Sequence, residues 1–204
     1  MDVNSLKAVV FSGIAIYRQK IFSSLDLVEA IENILLHNSN ISKWERAKVV
    51  NYDGSITNEE TRTNDGLFLP ASNMCSNDPS QAALIEISKI LALNYSECLS
   101  DYLTRFQGSV KTQVDQIGFH FLKYELGEHF VQHIDDGPNS PRRISGLAYL
   151  NDNYEGGELY FEKFNFMYTP VAGDIVLFPS GIPYEHSALP VKSGIKYCVA
   201  TWWN

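Results

Sequence analysis

Beyond Gln113 the chain no longer offers long elements: it breaks into short apolar, β-branched or aromatic runs, each closed by turn-forming residues such as Gly, Pro, Asn or Asp. The runs cover 118–124, 130–135, 144–150, 158–161, 175–178, 184–188 and 195–203, and runs of this kind read as strands. The segment before them has a different texture. Leu27, Val28, Ile31, Ile34 and Leu35 recur at helical spacing behind Ser23 and Ser24, which can cap a helix over 25–37. Asp78-Pro79 can open a second helix with Ala83, Ile87, Ile90 and Leu91 on one face, and a further helical stretch covers 95–106. Helices first and many strands later predict an α+β domain built on a β-sandwich or jelly roll. Within a single domain, the helical part is expected over about 1–112 and the strand-rich core over about 113–204.

Size and charge narrow the class. Two hundred and four residues suit one well-buried core. A net charge of −8 argues against a phosphate-binding surface, so nucleic acid is not an expected partner. Cys75, Cys98 and Cys198 are odd in number and lack metal-knuckle or redox spacing, which argues against a disulfide framework. No window reaches the length of a transmembrane span, and no membrane partner is expected. The apolar stretch 8–17 runs into Arg18 and Lys20 and reads as a strand rather than a signal peptide. A reducing, cytoplasmic setting is the expectation; the oligomeric state is not legible.

Chemistry concentrates at 124–135. His133 and Asp135 stand two residues apart, and residues i and i+2 face the same side of a strand but not of a helix. In an extended segment the imidazole and the carboxylate can reach one metal ion. With His186 they make two histidines and one carboxylate, the donor set that holds Fe(II) with open coordination positions. His129, four residues before His133, would suit a helical metal pair, but Gly127 and the strand pattern argue against it. His120 and His37 are expected to be structural or surface residues. On the last strand Lys196, Cys198, Ala200 and Trp202 share one face. A turn through 190–194 would set Lys196 across a pocket from His186, an anion anchor facing a metal.

These residues sit in a longer ordered pattern. The run Y-x2-G-x2-F-x2-H-x-D from Tyr124 to Asp135 is followed by Tyr149-Leu-Asn151, Gly156-Gly157-Glu158, Gly173-Asp174 and His186-x9-Lys196. It resembles the prolyl 4-hydroxylase branch of the Fe(II)/2-oxoglutarate oxygenases. Upstream, Arg62-Thr63-Asn64-Asp65-Gly66-Leu67-Phe68 looks like that branch's arginine-containing substrate loop, within a turn-rich span 51–69 that could close over a peptide.

The resemblance implies a double-stranded β-helix (jelly-roll) core with N-terminal supporting helices. It implies His133, Asp135 and His186 as catalytic iron ligands, with Lys196 and Tyr124 holding the distal carboxylate of 2-oxoglutarate. Arg143, Trp202 and Arg62 fall at substrate-side positions. It implies Fe(II), 2-oxoglutarate and O2, admits ascorbate, and points to hydroxylation of a peptidyl proline in a peptide or protein partner, with 2-oxoglutarate converted to succinate and CO2. Hydroxylation of another side chain or of a free amino acid is the nearest alternative. A non-catalytic jelly-roll module that binds metal and 2-oxoglutarate is another. One position departs from the family's G-G-E-T run, because Leu159 stands where the threonine would donate a hydrogen bond to the cosubstrate. The pocket is then either drier or completed by another residue.

Overall fold

The computed structural model describes residues 7–21, 24–37, 43–51, 54–56, 60–70, 82–106, 115–138 and 141–204. In chain order its elements are β1 (Ala8–Phe11), β2 (Ile14–Tyr17), α1 (Ser24–His37), β3 (Glu45–Arg46), β4 (Val49–Asn51), β5 (Gly54–Ile56), β6 (Asp65–Pro70) and α2 (Ala82–Phe106). There follow β7 (Gln116–Tyr124), β8 (Phe130–His133), β9 (Ile144–Tyr149), β10 (Glu155–Gly156), β11 (Leu159–Phe161) and β12 (Phe166–Tyr168). The last four are β13 (Ile175–Pro179), β14 (His186–Ala188), β15 (Val191–Ser193) and β16 (Lys196–Trp203).

Among the described residues, a major sheet runs in the order β1-β2-β13-β9-β16-β7-β6-β3, and a minor sheet in the order β12-β11-β14-β8. The two sheets make the jelly roll, and alternation along each strand decides what fills the space on either side. On β16, Tyr197, Val199 and Trp203 pack with residues of α1 and α2, among them Ile31, Leu91 and Tyr95. Cys198, Ala200 and Trp202 point the other way and pack with Leu159 and Phe161 of the minor sheet. The parity expected for the last strand holds. Helix α2 is pressed close to the sheet: the Tyr95 hydroxyl donates to Val199 O at 2.6 Å. A Cβ on Gly146 would lie 2.9 Å from the Tyr95 ring, so only glycine admits this approach.

Three sequence expectations change. The second and third helices are one: 82–106 contains no Gly or Pro, and Asn94 satisfies its side chain on Ile90 O at 2.8 Å rather than breaking the turn. Ile90, assigned to the buried face, is exposed. The division near residue 112 is not a boundary in the fold, because β2 pairs with β13 and β6 pairs with β7, completing the major sheet from the N-terminal part. Ser23, Asp78-Pro79 and Cys75 lie outside the described residues. Cys98 and Cys198 are free, buried thiols. Among the described residues, no helix is long and apolar enough to cross a membrane.

Two of the motif positions prove structural. Asp174 is fully buried and accepts from Gln19 N at 2.8 Å and from the Tyr168 hydroxyl, tying the β1–β2 hairpin to the entry of β13. Asn151 accepts from Tyr197 N at 2.7 Å and donates to Ile195 O at 2.6 Å, which fixes where β16 begins and so where Lys196 stands.

Candidate active site

β14 and β8 lie side by side in the minor sheet, with His186 directly opposite His133. Each imidazole donates its Nδ1–H to the carbonyl two residues back, His133 to Val131 O at 2.8 Å and His186 to Tyr184 O at 3.1 Å. Those bonds set the tautomer and leave both Nε2 lone pairs free. Asp135 completes the group, with Oδ1 at 3.6 Å from His133 Nε2 and Oδ2 at 3.7 Å from His186 Nε2. One ligand atom of each residue lies within 4.8 Å of the others. Two imidazole nitrogens and a carboxylate oxygen this close suit one ferrous ion with positions left open.

Asp135 reaches this point differently from the expectation. β8 stops at His133, so Asp135 is not in the strand; a bend, held by Asp135 N on Ser180 O at 3.0 Å, turns its side chain back. Ser145 Oγ then donates to Asp135 Oδ2 at 2.7 Å and sits 2.8 Å from Ser180 Oγ. Burial by itself would raise the carboxyl, but His186, His133 and Ser145 outweigh it and hold Asp135 well below the usual carboxylate range. Burial, with His133 adding to it, pushes His186 down to about 4, leaving the neutral, metal-binding form at neutral pH.

The same cavity, of about 850 Å³, runs from these residues to Lys196. Lys196 is 2% exposed. Its ammonium donates to Gly157 O at 2.6 Å and lies 5.0 Å from the Tyr124 ring centre and 5.5 Å from that of Tyr149. Burial lowers its pKa. No carboxylate of the described residues lies within 4.0 Å of it. A buried ammonium without a counter-ion fits a ligand that brings a carboxylate. Tyr124, opposite Lys196 across the β7–β16 ladder, lines the cavity beside it, and burial raises its phenol. Gly157 adopts φ of +64°, and a Cβ there would meet Lys196 Cδ at 3.0 Å and the Tyr154 ring at 3.2 Å. Leu159 is buried in the cavity wall.

On the substrate side the sequence placed the right segment and one wrong residue. Arg143 is exposed and outside the cavity wall; Arg142 lines it instead, its guanidinium 3.9 Å over the Trp202 ring. The segment between Asp135 and β9 has no periodicity from which its facing could be read. Trp202 and Arg62 both line the cavity. Arg62 does not sit on an open loop: it is 8% exposed, bridges to Phe130 of β8, and stands three residues before the start of β6. His120, expected to be structural or surface, also lines the cavity, beside Trp202. Its parity with Leu122 and Tyr124 was the signal that could have found it.

Residues 119–204 match the model of the 2OG-Fe(II) oxygenase superfamily. The fold is similar to that of a prolyl hydroxylase from Trichoplax adhaerens solved with a hypoxia inducible factor peptide fragment, at a TM-score of 0.69 and 17% identity, covering 94% of this chain and 83% of that one. The matched stretch holds the His-Asp-His cluster, and that superfamily works with Fe(II), 2-oxoglutarate and O2. Sequence relatives narrow the class. Probable prolyl 4-hydroxylase 9 of Arabidopsis thaliana is 30% identical over 172 residues, covering 70% of this chain and 53% of the relative. Human prolyl 3-hydroxylase 3 is 36% identical over 66 residues, 30% of this chain and 9% of the relative. Over those stretches the chain is similar to prolyl hydroxylases. It spans about half the length of the plant relative and about a tenth of the human one.

Proposed function

We propose that this protein is an Fe(II)- and 2-oxoglutarate-dependent dioxygenase that hydroxylates a peptidyl proline. One observation carries the reading: a free-Nε2 pair of histidines with a carboxylate faces an uncompensated buried lysine across one cavity. In this reading His133 Nε2, His186 Nε2 and one Asp135 oxygen hold the iron. Lys196 and the Tyr124 hydroxyl hold the distal carboxylate of 2-oxoglutarate. The bound iron and cosubstrate supply the oxidation, in which O2 delivers one oxygen atom to a substrate C–H bond and the other to succinate as CO2 leaves.

The chain's own residues orient and shield. The Nδ1 bonds to Val131 and Tyr184 keep both imidazoles aimed at the ion, and Ser145 keeps Asp135 from swinging away. Phe130 stacks on His133 with ring centres 3.6 Å apart, and Phe178 stands edge-on to His186, so each imidazole has an apolar ring against one side. Peptide preference for proline draws its support from the relatives' printed names and from the hypoxia inducible factor peptide bound to the Trichoplax enzyme.

The test is succinate formation from 2-oxoglutarate in air with Fe(II), with and without proline-rich peptides. Stimulation by such a peptide together with a 16-dalton gain on proline is the expected result. Metal and 2-oxoglutarate binding without any succinate would overturn the reading in favour of a binding module.

A further inference from the structure

In a chain of net charge −8, the cavity wall gathers cations. Iron and Lys196 are matched by Asp135 and the two carboxylates of 2-oxoglutarate. Arg62, Arg142 and Lys48 are then left over against one further carboxylate of the wall, Asp136. Arg62 donates its Nε–H to Asn64 Oδ1 at 2.6 Å and lies 4.6 Å over the Phe130 ring, the same ring that covers His133. Among the described residues no carboxylate lies within 4.0 Å of it. Arg142 stacks on Trp202, gives Nη1–H to Asp135 O at 3.3 Å, and stands 3.9 Å from Asp135 Oδ1. Its Nε is buried without a partner. Asp135 is committed to the metal and cannot also neutralise Arg142.

The two guanidiniums therefore flank the iron ligands, one beyond the ring over His133 and one beside Asp135. Each is stacked on an aromatic face, which holds its plane at small further entropy cost and readies it for a planar anion. Like charges on one wall repel, and Asp136, whose Oδ1 accepts from Arg142 N at 3.0 Å, is a single carboxylate against them. An anion shared between them would relieve both the repulsion and the unpaired donor. Neutral or cationic neighbours on the substrate would leave this excess of positive charge in the cavity unmatched.

Resting on the dioxygenase reading above, we infer that the substrate presents a carboxylate close to the carbon that is hydroxylated, held between Arg62 and Arg142. Two sources have this chemistry. One is an acidic side chain next to the target proline; the other is the α-carboxylate of a C-terminal or free proline.

The experiment compares peptides that differ only in the residue beside proline, Glu, Gln or Lys, together with free L-proline. Dissociation constants are measured by calorimetry on the wild-type protein loaded with Mn(II) and 2-oxoglutarate, and hydroxylation by mass with Fe(II). A carboxylate accepting charge-assisted hydrogen bonds should bind about tenfold or more tightly than its amide isostere. The preference should shrink with added salt, and Arg62→Gln or Arg142→Gln should each bring the Glu-to-Gln ratio towards one. Free proline outperforming the Glu peptide would make the α-carboxylate the source. Equal affinity for Glu and Gln with no gain from free proline, or a preference for Lys, overturns the inference. Because these comparisons use unaltered protein, a variant that misfolds does not decide them. Succinate formation separates the two failures: succinate, with or without peptide, but no acidic preference sinks only the carboxylate, and no succinate under any condition sinks the dioxygenase.

Discussion

Lys196 carries a cost that a ligand must offset. Its ammonium is buried with one carbonyl acceptor and two aromatic faces, and burial lowers its pKa from the ordinary lysine value. Between that lowered value and about 10.5 the unfolded chain binds the proton more tightly than the folded one. Stability of the ligand-free protein should therefore rise as pH climbs through that window. Lys196→Met keeps most of the length and volume while removing the charge. Exchanging a buried ionic group for an apolar one of similar size is neutral or stabilising by about 1–4 kcal/mol. The orphaned Gly157 carbonyl returns about 1–3 kcal/mol of that. A net gain of about 1 kcal/mol is the expected result, or about 2–4 °C in Tm for a chain of this length.

The ligand response should go the other way. Losing one partner of a buried charge pair costs about 2–5 kcal/mol, at least about 30-fold in 2-oxoglutarate affinity. At a ligand concentration of about 100 times the wild-type Kd, 2-oxoglutarate adds about 2.7 kcal/mol to the wild type, against less than about 1 kcal/mol to the variant. The assay is thermal unfolding of the Mn(II)-loaded protein with and without 2-oxoglutarate, at neutral and alkaline pH. A variant that keeps the full 2-oxoglutarate shift, or whose ligand-free Tm falls by several degrees, refutes the view of Lys196 as a cation waiting for a carboxylate.

Chelation should abolish succinate formation and added Fe(II) should restore it in the wild type but not in His133→Ala; activity in that variant would count against the ligand assignment. Ser145→Ala removes the 2.7 Å hydrogen bond on Asp135 Oδ2 and should weaken Mn(II) binding about 10- to 100-fold; an unchanged titration would show that Ser145 is not an orienting group. Burial, then the charges of Arg62 and Arg142, push His120 down to about 3, so below about pH 6.5 the unfolded chain takes up a proton that the folded one refuses. Stability should fall with pH from there towards 3, by up to about 1.4 kcal/mol per unit from this group. His120→Leu should flatten that part of the urea-midpoint profile; parallel profiles would exclude His120 as the source.

How far the sequence reached depended on range. Strand parity is a two-residue rule, and it was enough to put Lys196, Cys198, Ala200 and Trp202 on the cavity face. The His133-x-Asp135 spacing and the ordered motif likewise marked the residues that the fold gathers within 4.8 Å together with His186. The break expected before Tyr95 was not there, because Ala92-Leu93-Asn94 holds no Gly or Pro and Asn94 bonds back to Ile90 O within the helix.

Facing across the fold was another matter. That His186 would stand opposite His133 is a property of strand register, set by which sheets pack together. Asp135 reaches the site from a bend pinned by Ser180, a contact 45 residues away in the chain that no local pattern encodes. Arg142 rather than Arg143 enters the cavity because Trp202, brought alongside by β16 pairing with β9, offers a face on which its guanidinium stacks. Residue types and their alternation are local and survive in the linear chain. The charge balance of the cavity, including the two arginines that flank the iron ligands, arises only when distant segments share one space.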